Sequence, residues 1–275
     1  MAVVPGALCC TEAACCADDG PDSSSLPGVF VRNTFEEEVM HAVDMEEAGA
    51  WEENQPVDLG GGVTYTGQWR GKTRHGYGIL AKTDGQCYEG HFANGQAHGK
   101  GRYRAAGGNI YYGQWHHGQR HGHGTFIHAD GITFDGEWRS DCKCGEGTES
   151  YPDGARYEGH YKRGRKHGRG TYTSGLGFSY TGQFRDDRMD GDGTYKFADG
   201  HKYTGQWRSG SLCGHGRMDW ANGSSHEGAY ERNVKHGQGT FTWPDGRTYR
   251  GFWRNGQLDG PGVMIAASGQ QIPCR

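Results

Sequence analysis

The sequence contains no run of 18 consecutive apolar residues, whereas a helix that crosses a membrane needs about 20. We therefore expect no membrane-spanning helix. The first eight residues carry no positive side chain and only a short apolar stretch, so a secretory signal is not expected either. The cysteines number nine, and those in the later part of the chain are scattered. This usage is typical of a reduced cytosolic protein and argues against a disulfide framework.

The sequence also lacks the motifs of common catalytic sites. It has no Gly-x-x-x-x-Gly-Lys-Ser/Thr phosphate-binding loop, no nucleophile elbow, and no carboxylate pair that recurs beside a predicted pocket. We therefore predict that the protein is not an enzyme and that it binds no cofactor.

Basic residues are nearly absent from residues 1–62, which contain 13 Asp and Glu but only one basic residue, Arg32. Residues 63–275 contain 28 Lys and Arg against 20 Asp and Glu, so the two parts carry net charges of −12 and +8. A positive region of this size is attracted to acidic surfaces such as phospholipid headgroups or acidic protein tails. The alternative interpretation is a solvated face with an excess of Lys and Arg.

The later part of the chain contains one 23-residue pattern, repeated nine times without interruption. Each copy reads aromatic-x-Gly-x-aromatic, a polar turn, Gly-x-Gly, and a second turn that ends in glycine; His226 stands first in the eighth copy. The period of two predicts one β-hairpin in each copy and about eighteen antiparallel strands. Residues that represent the pattern are Tyr65, Gly67, Trp69, Gly76 and Gly78 in the first copy, Tyr111, Gly113 and Trp115 in the third, and Tyr203, Gly205 and Trp207 in the seventh.

Four glycine positions are filled in all nine copies. We expect the aromatic rings to lie over glycines of the neighbouring strand, where the absence of Cβ leaves room for a ring. At the start of the array, Gly60-Gly61-Gly62 indicates a partial capping strand upstream. At its end, we expect Pro261 to break the second strand of the ninth copy.

These units resemble MORN repeats, through Tyr-Thr-Gly-Gln-Trp at 65–69 and 203–207, His-Gly-x-Gly-Thr-Phe at 121–126 and 236–241, and Pro-Asp-Gly at 152–154 and 244–246. The resemblance covers about three quarters of the chain. It implies an all-β fold, an elongated, twisted, single-layer antiparallel sheet of repeated hairpins without an active site of its own. Members of the family act as scaffolds, membrane-apposed or cytoskeletal adaptors and ciliary components, and some carry an attached catalytic domain.

We divide the chain into a disordered, acidic, cysteine-containing tail (1–33), a short helix and capping segment (34–62), and the nine-unit array (63–275). Thr34-Phe35-Glu36-Glu37 fits a capping box, which predicts an amphipathic helix over residues 34–48. The paired cysteines of the tail are candidates for S-acylation, with unmodified thiols and a metal site as alternatives. They are Cys9, Cys10, Cys15 and Cys16.

The strongest basic cluster is predicted at the hairpin turn of the fifth copy, where an acidic lipid headgroup or an acidic partner could dock. It consists of Lys162, Arg163, Arg165, Lys166 and Arg169. A solvated turn is the alternative interpretation. Nucleic acid is not an expected partner, because packing against glycine already occupies the Tyr and Trp positions.

The tenth residue after the start of a copy is His or Cys in seven copies. Equivalent positions in neighbouring copies lie two strands apart, or about 9–10 Å, and a zinc ligand lies about 2.0–2.3 Å from its ion. Two of these residues cannot share an ion, so no metal site is predicted. The seven residues are His75, His98, His121, Cys144, His167, Cys213 and His236.

The predicted function is a non-catalytic scaffold or adaptor that binds other proteins and acidic phospholipids at a membrane or the cortical cytoskeleton. It is expected in the cytoplasm, at the membrane periphery or in a cilium, and homo-oligomers through sheet edges are a further expectation. One alternative is a structural subunit of a ciliary or axonemal complex. Another is the regulatory MORN module of a phosphatidylinositol phosphate kinase-like protein that lacks its kinase domain, although the initiator Met and the complete-looking C-terminal end argue against it.

Overall fold

The structure is a computed structural model that describes residues 55–274. Regular structure in this range consists of β-strands alone, and the 20 strands belong to one open antiparallel sheet, which confirms the all-β prediction. The described residues form two compact units, 55–143 and 144–274. No stretch of the described chain forms a helix with the length and apolarity needed to cross a bilayer. The helix predicted over residues 34–48, the acidic tail and its four cysteines lie outside the described residues.

The first unit contains eight strands, each antiparallel to the next. They are β1 (Val57–Gly60), β2 (Val63–Arg70), β3 (Thr73–Lys82), β4 (Cys87–Ala93), β5 (Gln96–Arg104), β6 (Ile110–His116), β7 (Gln119–Ile127) and β8 (Thr133–Arg139).

The second unit contains the remaining strands, apart from the first two residues of β9, and each is again antiparallel to the next. They are β9 (Cys142–Ser150), β10 (Arg156–Lys162), β11 (Arg165–Thr173), β12 (Ser179–Arg185), β13 (Arg188–Lys196), β14 (Lys202–Arg208), β15 (Ser211–Asp219), β16 (Ser225–Glu231), β17 (Val234–Thr242), β18 (Thr248–Arg254), β19 (Gln257–Ile265) and β20 (Gln271–Cys274).

Two kinds of turn alternate along the chain. The turn within a copy has two central residues with positive φ, such as Asn94 at 52° and Gly95 at 81°, which is the type I′ arrangement that matches the twist of paired strands. The turn between copies ends in a glycine with positive φ, such as Gly131 at 92°. In that turn Oδ1 of Asp130 accepts a hydrogen bond from the backbone N–H of Ile132 at 3.0 Å. Each copy is therefore a hairpin, and a second hairpin turn joins it to the next copy.

The core of each unit is a row of aromatic rings that lie over glycines. Tyr65 is completely buried, and its hydroxyl donates a hydrogen bond to the backbone carbonyl of Gln68 at 2.8 Å. A Cβ added to Gly78 on the neighbouring strand would lie only 2.7 Å from Cε2 of Tyr65. The third and seventh copies repeat this arrangement with Tyr111 and Tyr203, which confirms the predicted packing of rings over glycines.

The other two glycine positions of each copy serve the backbone. Gly76 lies within β3 at φ 76°, and Gly85 ends the turn after that strand at φ 91°. An L residue with a side chain would pay about 1–2 kcal/mol to adopt this left-handed conformation. Two glycine positions in each copy therefore make room for a ring, and two allow a positive φ.

The two ends of the array differ in how well they were predicted. β1 pairs with β2, which confirms the capping strand. The prediction for Pro261 was wrong, because β19 continues through it to Ile265. The β18–β19 register is irregular at this point, and β20 pairs only from Gly262 onward, so neither neighbour needs the N–H group that proline lacks.

Candidate functional site

The basic cluster of the fifth copy surrounds a type I′ turn. Lys162 ends β10, Arg163 and Gly164 form the turn with φ of 51° and 78°, and Arg165 begins β11. Lys162, Arg163 and Arg165 are exposed and make no ion pair with any described residue. Arg169 lies further along β11 and is exposed as well. Four of the five predicted residues are therefore accessible.

Lys166 lies on the opposite face of β11 from Arg165, because successive side chains of a strand point to opposite faces. It pairs with Tyr161 in the register of the hairpin and is only 6% exposed. Its Nζ lies 2.9 Å from Oε2 of Glu149 and donates a hydrogen bond to the hydroxyl of Tyr151 at 2.6 Å. The structure therefore assigns Lys166 to the aromatic face, not to the exposed basic cluster.

The two edges of the second unit carry opposite net charge. The two kinds of turn alternate along the chain, so each kind lies at its own edge of the sheet. The turns within copies form one edge, which we call the basic turn edge; it holds eight Lys and Arg against three Asp and Glu, a net charge of +5. The turns between copies form the other edge, which holds three Asp and one Arg, a net charge of −2. The segments of the basic turn edge are 162–165, 185–188, 208–211, 231–234 and 254–257, and those of the other edge are 151–155, 174–178, 197–201, 220–224, 243–247 and 266–270.

Nearby carboxylates neutralise part of the basic turn edge. Arg185 pairs with Asp190 at 3.2 Å, and Arg254 pairs with Asp259 at 2.8 Å. The remaining exposed cations of this edge are Lys162, Arg163, Arg165, Arg188, Arg208 and Arg232. Three of these six belong to the fifth copy, so the charge that is free to bind an anion is concentrated there.

A second set of cations lies against the aromatic rings, at the ninth residue after the start of a copy. Arg120, for example, places Cζ 4.5 Å from the ring centroid of Trp138 and donates a hydrogen bond from Nε to Oδ1 of Asp141 at 3.0 Å. These cations were not predicted from the sequence, although a basic residue recurs in five copies at a fixed distance from the aromatic start. The cations are Arg74, Arg120, Lys143, Lys166 and Lys235.

Four histidines of the first unit form a cluster that was not predicted from the sequence. His116 lies between His98 and His121, with ring centroids 5.2 and 5.4 Å away, and His117 lies 4.2 Å from it. Partial desolvation and then these three neighbours lower the pKa of His116. Even so, no group of three metal-ligating side chains within residues 55–274 has an arrangement that could hold an ion.

His226 replaces the first tyrosine in the eighth copy and is completely buried. Burial, and then the charge of Lys235, lower the pKa of His226 to about 3, so this imidazole is neutral at pH 7. Its Nδ1 lies 2.9 Å from the hydroxyl of Tyr230, and its Nε2 has no hydrogen-bond partner. A neutral imidazole of this kind has a structural role in the ring row.

A family model described as "MORN repeat" matches nine consecutive segments that together cover most of the chain: residues 65–87, 88–110, 111–133, 134–156, 157–175, 180–202, 203–225, 226–246 and 249–271. The chain belongs to the MORN-repeat family. The nine copies begin at the residues predicted from the 23-residue period. MORN repeats are in general non-catalytic modules, so this MORN-repeat chain is a repeat scaffold or binding module.

Several solved structures resemble this MORN-repeat chain weakly. The TCP domain of SAS-4 (dCPAP) from Drosophila melanogaster, solved with a proline-rich motif of Ana2, has a TM-score of 0.34 and 13% identity over 72% of this chain and 89% of that one. The TCP10 domain of CPAP from Danio rerio has a TM-score of 0.24 and 12% identity over 70% and 96%. Virginiamycin B lyase from Staphylococcus aureus has a TM-score of 0.16 and 9% identity over 80% and 68%. No curated protein matches the chain significantly.

Proposed function

We propose that the chain is a non-catalytic MORN-repeat adaptor that associates with acidic phospholipid surfaces through the basic turn edge, while the rest of the array binds other proteins. The observation that carries this proposal is the difference in charge between the two edges of the second unit, +5 against −2. An array with this difference presents one edge to an anionic surface and keeps the other away from it.

The expected binding is weak and sensitive to salt. Each exposed basic residue close to an anionic membrane contributes about 1 kcal/mol. Lys162, Arg163 and Arg165 thus supply on the order of 3 kcal/mol together, and the other exposed cations of the edge add to this. Raising the ionic strength from about 0.1 M to about 1 M shortens the screening length from roughly 10 Å to roughly 3 Å, so high salt should abolish the interaction.

Co-sedimentation of the full chain with liposomes tests the proposal. Vesicles that contain phosphatidylserine should sediment the chain at low salt, and vesicles of phosphatidylcholine alone should not. The double variant Arg163→Glu/Arg165→Glu should lose most of this binding. The control Arg156→Glu/Arg250→Glu has the same change in net charge on exposed side chains away from the basic turn edge and should retain most of it.

Equal losses in the two double variants would show that net charge, not the basic turn edge, controls binding. Absence of binding to phosphatidylserine vesicles at low salt would overturn the proposal. Detergent-resistant retention of the chain in isolated axonemes, together with no lipid binding, would instead support the ciliary alternative. S-acylation of the tail cysteines remains a separate prediction, which labelling with an alkyne fatty acid would test on the full chain and on a variant with Ser at those four positions.

A further inference from the structure

The first copy shows how the aromatic face receives a cation. Cζ of Arg74 lies 5.9 Å from the ring centroid of Tyr65 and 5.5 Å from that of Phe92. These two rings meet edge to face, with centroids 5.3 Å apart and an interplanar angle of 87°. Nη2 of Arg74 donates a hydrogen bond to the backbone carbonyl of Gly95 at 2.8 Å. The site therefore consists of two rings and one carbonyl oxygen.

The third copy repeats the arrangement. Cζ of Arg120 lies 5.9 Å from the centroid of Tyr111 and 4.5 Å from that of Trp138. The two rings again meet edge to face, with centroids 5.4 Å apart and an angle of 82°. Two copies of the first unit thus place an arginine of their own on the same pair of ring positions.

The second copy has the same rings and backbone but no cation. Tyr88 and Trp115 meet with centroids 5.2 Å apart and an angle of 88°. Ala97 occupies the position of Arg74, since it pairs with Phe92 as Arg74 pairs with Trp69. Its carbonyl accepts a hydrogen bond from the N–H of Gly118 at 2.9 Å, as the carbonyl of Arg74 does from Gly95. The carbonyl of Gly118 therefore corresponds to the one that binds Arg74.

The side chain of Ala97 ends at Cβ and cannot reach the rings. Among the described residues, no lysine or arginine lies over the ring of Tyr88 or of Trp115. Copies of the second unit that lack a cation here carry a large apolar side chain instead, such as Met189 or Leu212, and both of these are buried. Within copies 1–8, Ala97 is the one residue at this position that neither supplies a charge nor carries a large apolar side chain.

We propose that Tyr88, Trp115 and the carbonyl of Gly118 receive the guanidinium group of an arginine from a partner protein. The chemistry of the site argues for a cation, because the faces of aromatic rings and a carbonyl oxygen all present negative potential. The flanking copies argue for arginine, because both place a guanidinium on the equivalent rings. A planar guanidinium also stacks on a ring while its N–H groups donate to oxygen, which a lysine ammonium does less well. This site is independent of the basic turn edge, for which we propose anionic ligands.

Substitution of Ala97 provides an internal test. Ala97→Arg supplies the guanidinium from within the chain, and Ala97→Gln adds a flexible side chain without charge. We expect Ala97→Arg to unfold at a higher urea concentration than Ala97→Gln. The dependence of the free energy of unfolding on urea concentration should be equal in the two variants. Equal midpoints, or a lower midpoint for Ala97→Arg, would overturn the proposal, because the rings and carbonyl would then give a guanidinium no advantage.

A peptide titration of the full chain tests the partner's side chain. The probe is acetyl-Gly-Arg-Gly-amide, its control is the same peptide with citrulline, and the readout is the indole N–H resonance of Trp115. We expect the citrulline peptide to bind at least about tenfold more weakly, a difference of about 1.4 kcal/mol, and we expect Ala97→Arg to abolish the response. A shift of equal size with citrulline, a shift that persists in folded Ala97→Arg, or no shift at all would overturn the proposal. An equal response to acetyl-Gly-Lys-Gly-amide, in which lysine replaces the arginine, would overturn the assignment to arginine.

Discussion

Nζ of Lys166 lies 2.9 Å from Oε2 of Glu149, and both side chains are almost completely enclosed by the aromatic face. The hydroxyl of Tyr151 contacts both charged groups. In the sixth and seventh copies the equivalent positions hold Tyr195 and Leu212, which are buried without any charge. The same place between neighbouring copies therefore accepts either an ion pair or two uncharged side chains.

Removing one member of this pair should destabilise the second unit far more than removing both. Lys166→Leu removes the ammonium group that lies beside the buried carboxylate of Glu149, and the loss of one member of a buried ion pair typically costs about 3–5 kcal/mol. The double variant Lys166→Leu/Glu149→Tyr reproduces the equivalent pair Tyr195–Leu212 and should recover most of that loss, because well-packed uncharged side chains often replace a buried ion pair without penalty. Urea unfolding of both variants measures the difference. A double variant as unstable as the single one would contradict this explanation.

The hairpin array could be predicted from the sequence because residues close together in the chain specify each hairpin. Each glycine and each aromatic residue occupies a fixed place in a 23-residue period, and strand periodicity alone then places Tyr65 over Gly78. The face on which a charged residue lies next to a turn was harder to assign. Arg165 and Lys166 are adjacent and both basic, yet one is exposed and the other is buried, and only the register of the hairpin shows which is which.

The ring-pair site was not predictable for a related reason. It depends on Tyr88 and Trp115, which belong to different copies, and on Ala97, which is unremarkable by itself. Its significance appears only when the structure shows that Arg74 and Arg120 lie on the equivalent rings. The effect of Pro261 on β19 could not be predicted from the sequence either, since whether a proline interrupts a strand depends on where the register is irregular.

A methyl group should be tolerated at some glycines and not at others. A Cβ at Gly124 would lie 2.7 Å from Cε2 of Tyr111 and closer still to its hydroxyl oxygen, so Gly124→Ala must displace a buried ring. Overpacking of this kind costs about 1–3 kcal/mol. Gly107→Ala is the control, because a Cβ there has no neighbour within 4 Å and its φ is not positive. Its effect should lie within about 0.5 kcal/mol of zero, and equal urea midpoints for the two variants would refute the ring-over-glycine packing.

The buried His226 should make the stability of the chain fall in mild acid. Its folded pKa of about 3 lies below the ordinary value of 6.5, so the unfolded chain binds a proton that the folded chain excludes. This contribution to stability is present above about pH 6.5 and is lost as the pH falls towards 3. Between pH 7 and pH 5 the loss amounts to about 2 kcal/mol.

The variant His226→Tyr should lack this loss. The tyrosine would restore the residue found at this position in seven other copies and would remove a buried Nε2 that has no partner, which should add about 1 kcal/mol at pH 7. Urea unfolding of wild type and variant at pH 7 and pH 5 provides the measurement, and the comparison cancels the titration of the other histidines. Parallel decreases in the two proteins would show that His226 is not the source.

Arg163 should weaken the fold while it strengthens binding. It has φ of 51° at the first central position of a type I′ turn, where asparagine is favoured and an extended side chain is strained. Arg163→Asn should therefore raise stability by about 0.5–1 kcal/mol and reduce binding to phosphatidylserine vesicles. Ser209→Asn is the matched control, because Ser209 holds the same turn position in the seventh copy with φ of 47° and carries no charge. This control should also gain stability but keep its lipid binding, so a fall in binding for both variants would indicate that turn rigidity, and not the charge of Arg163, determines the affinity.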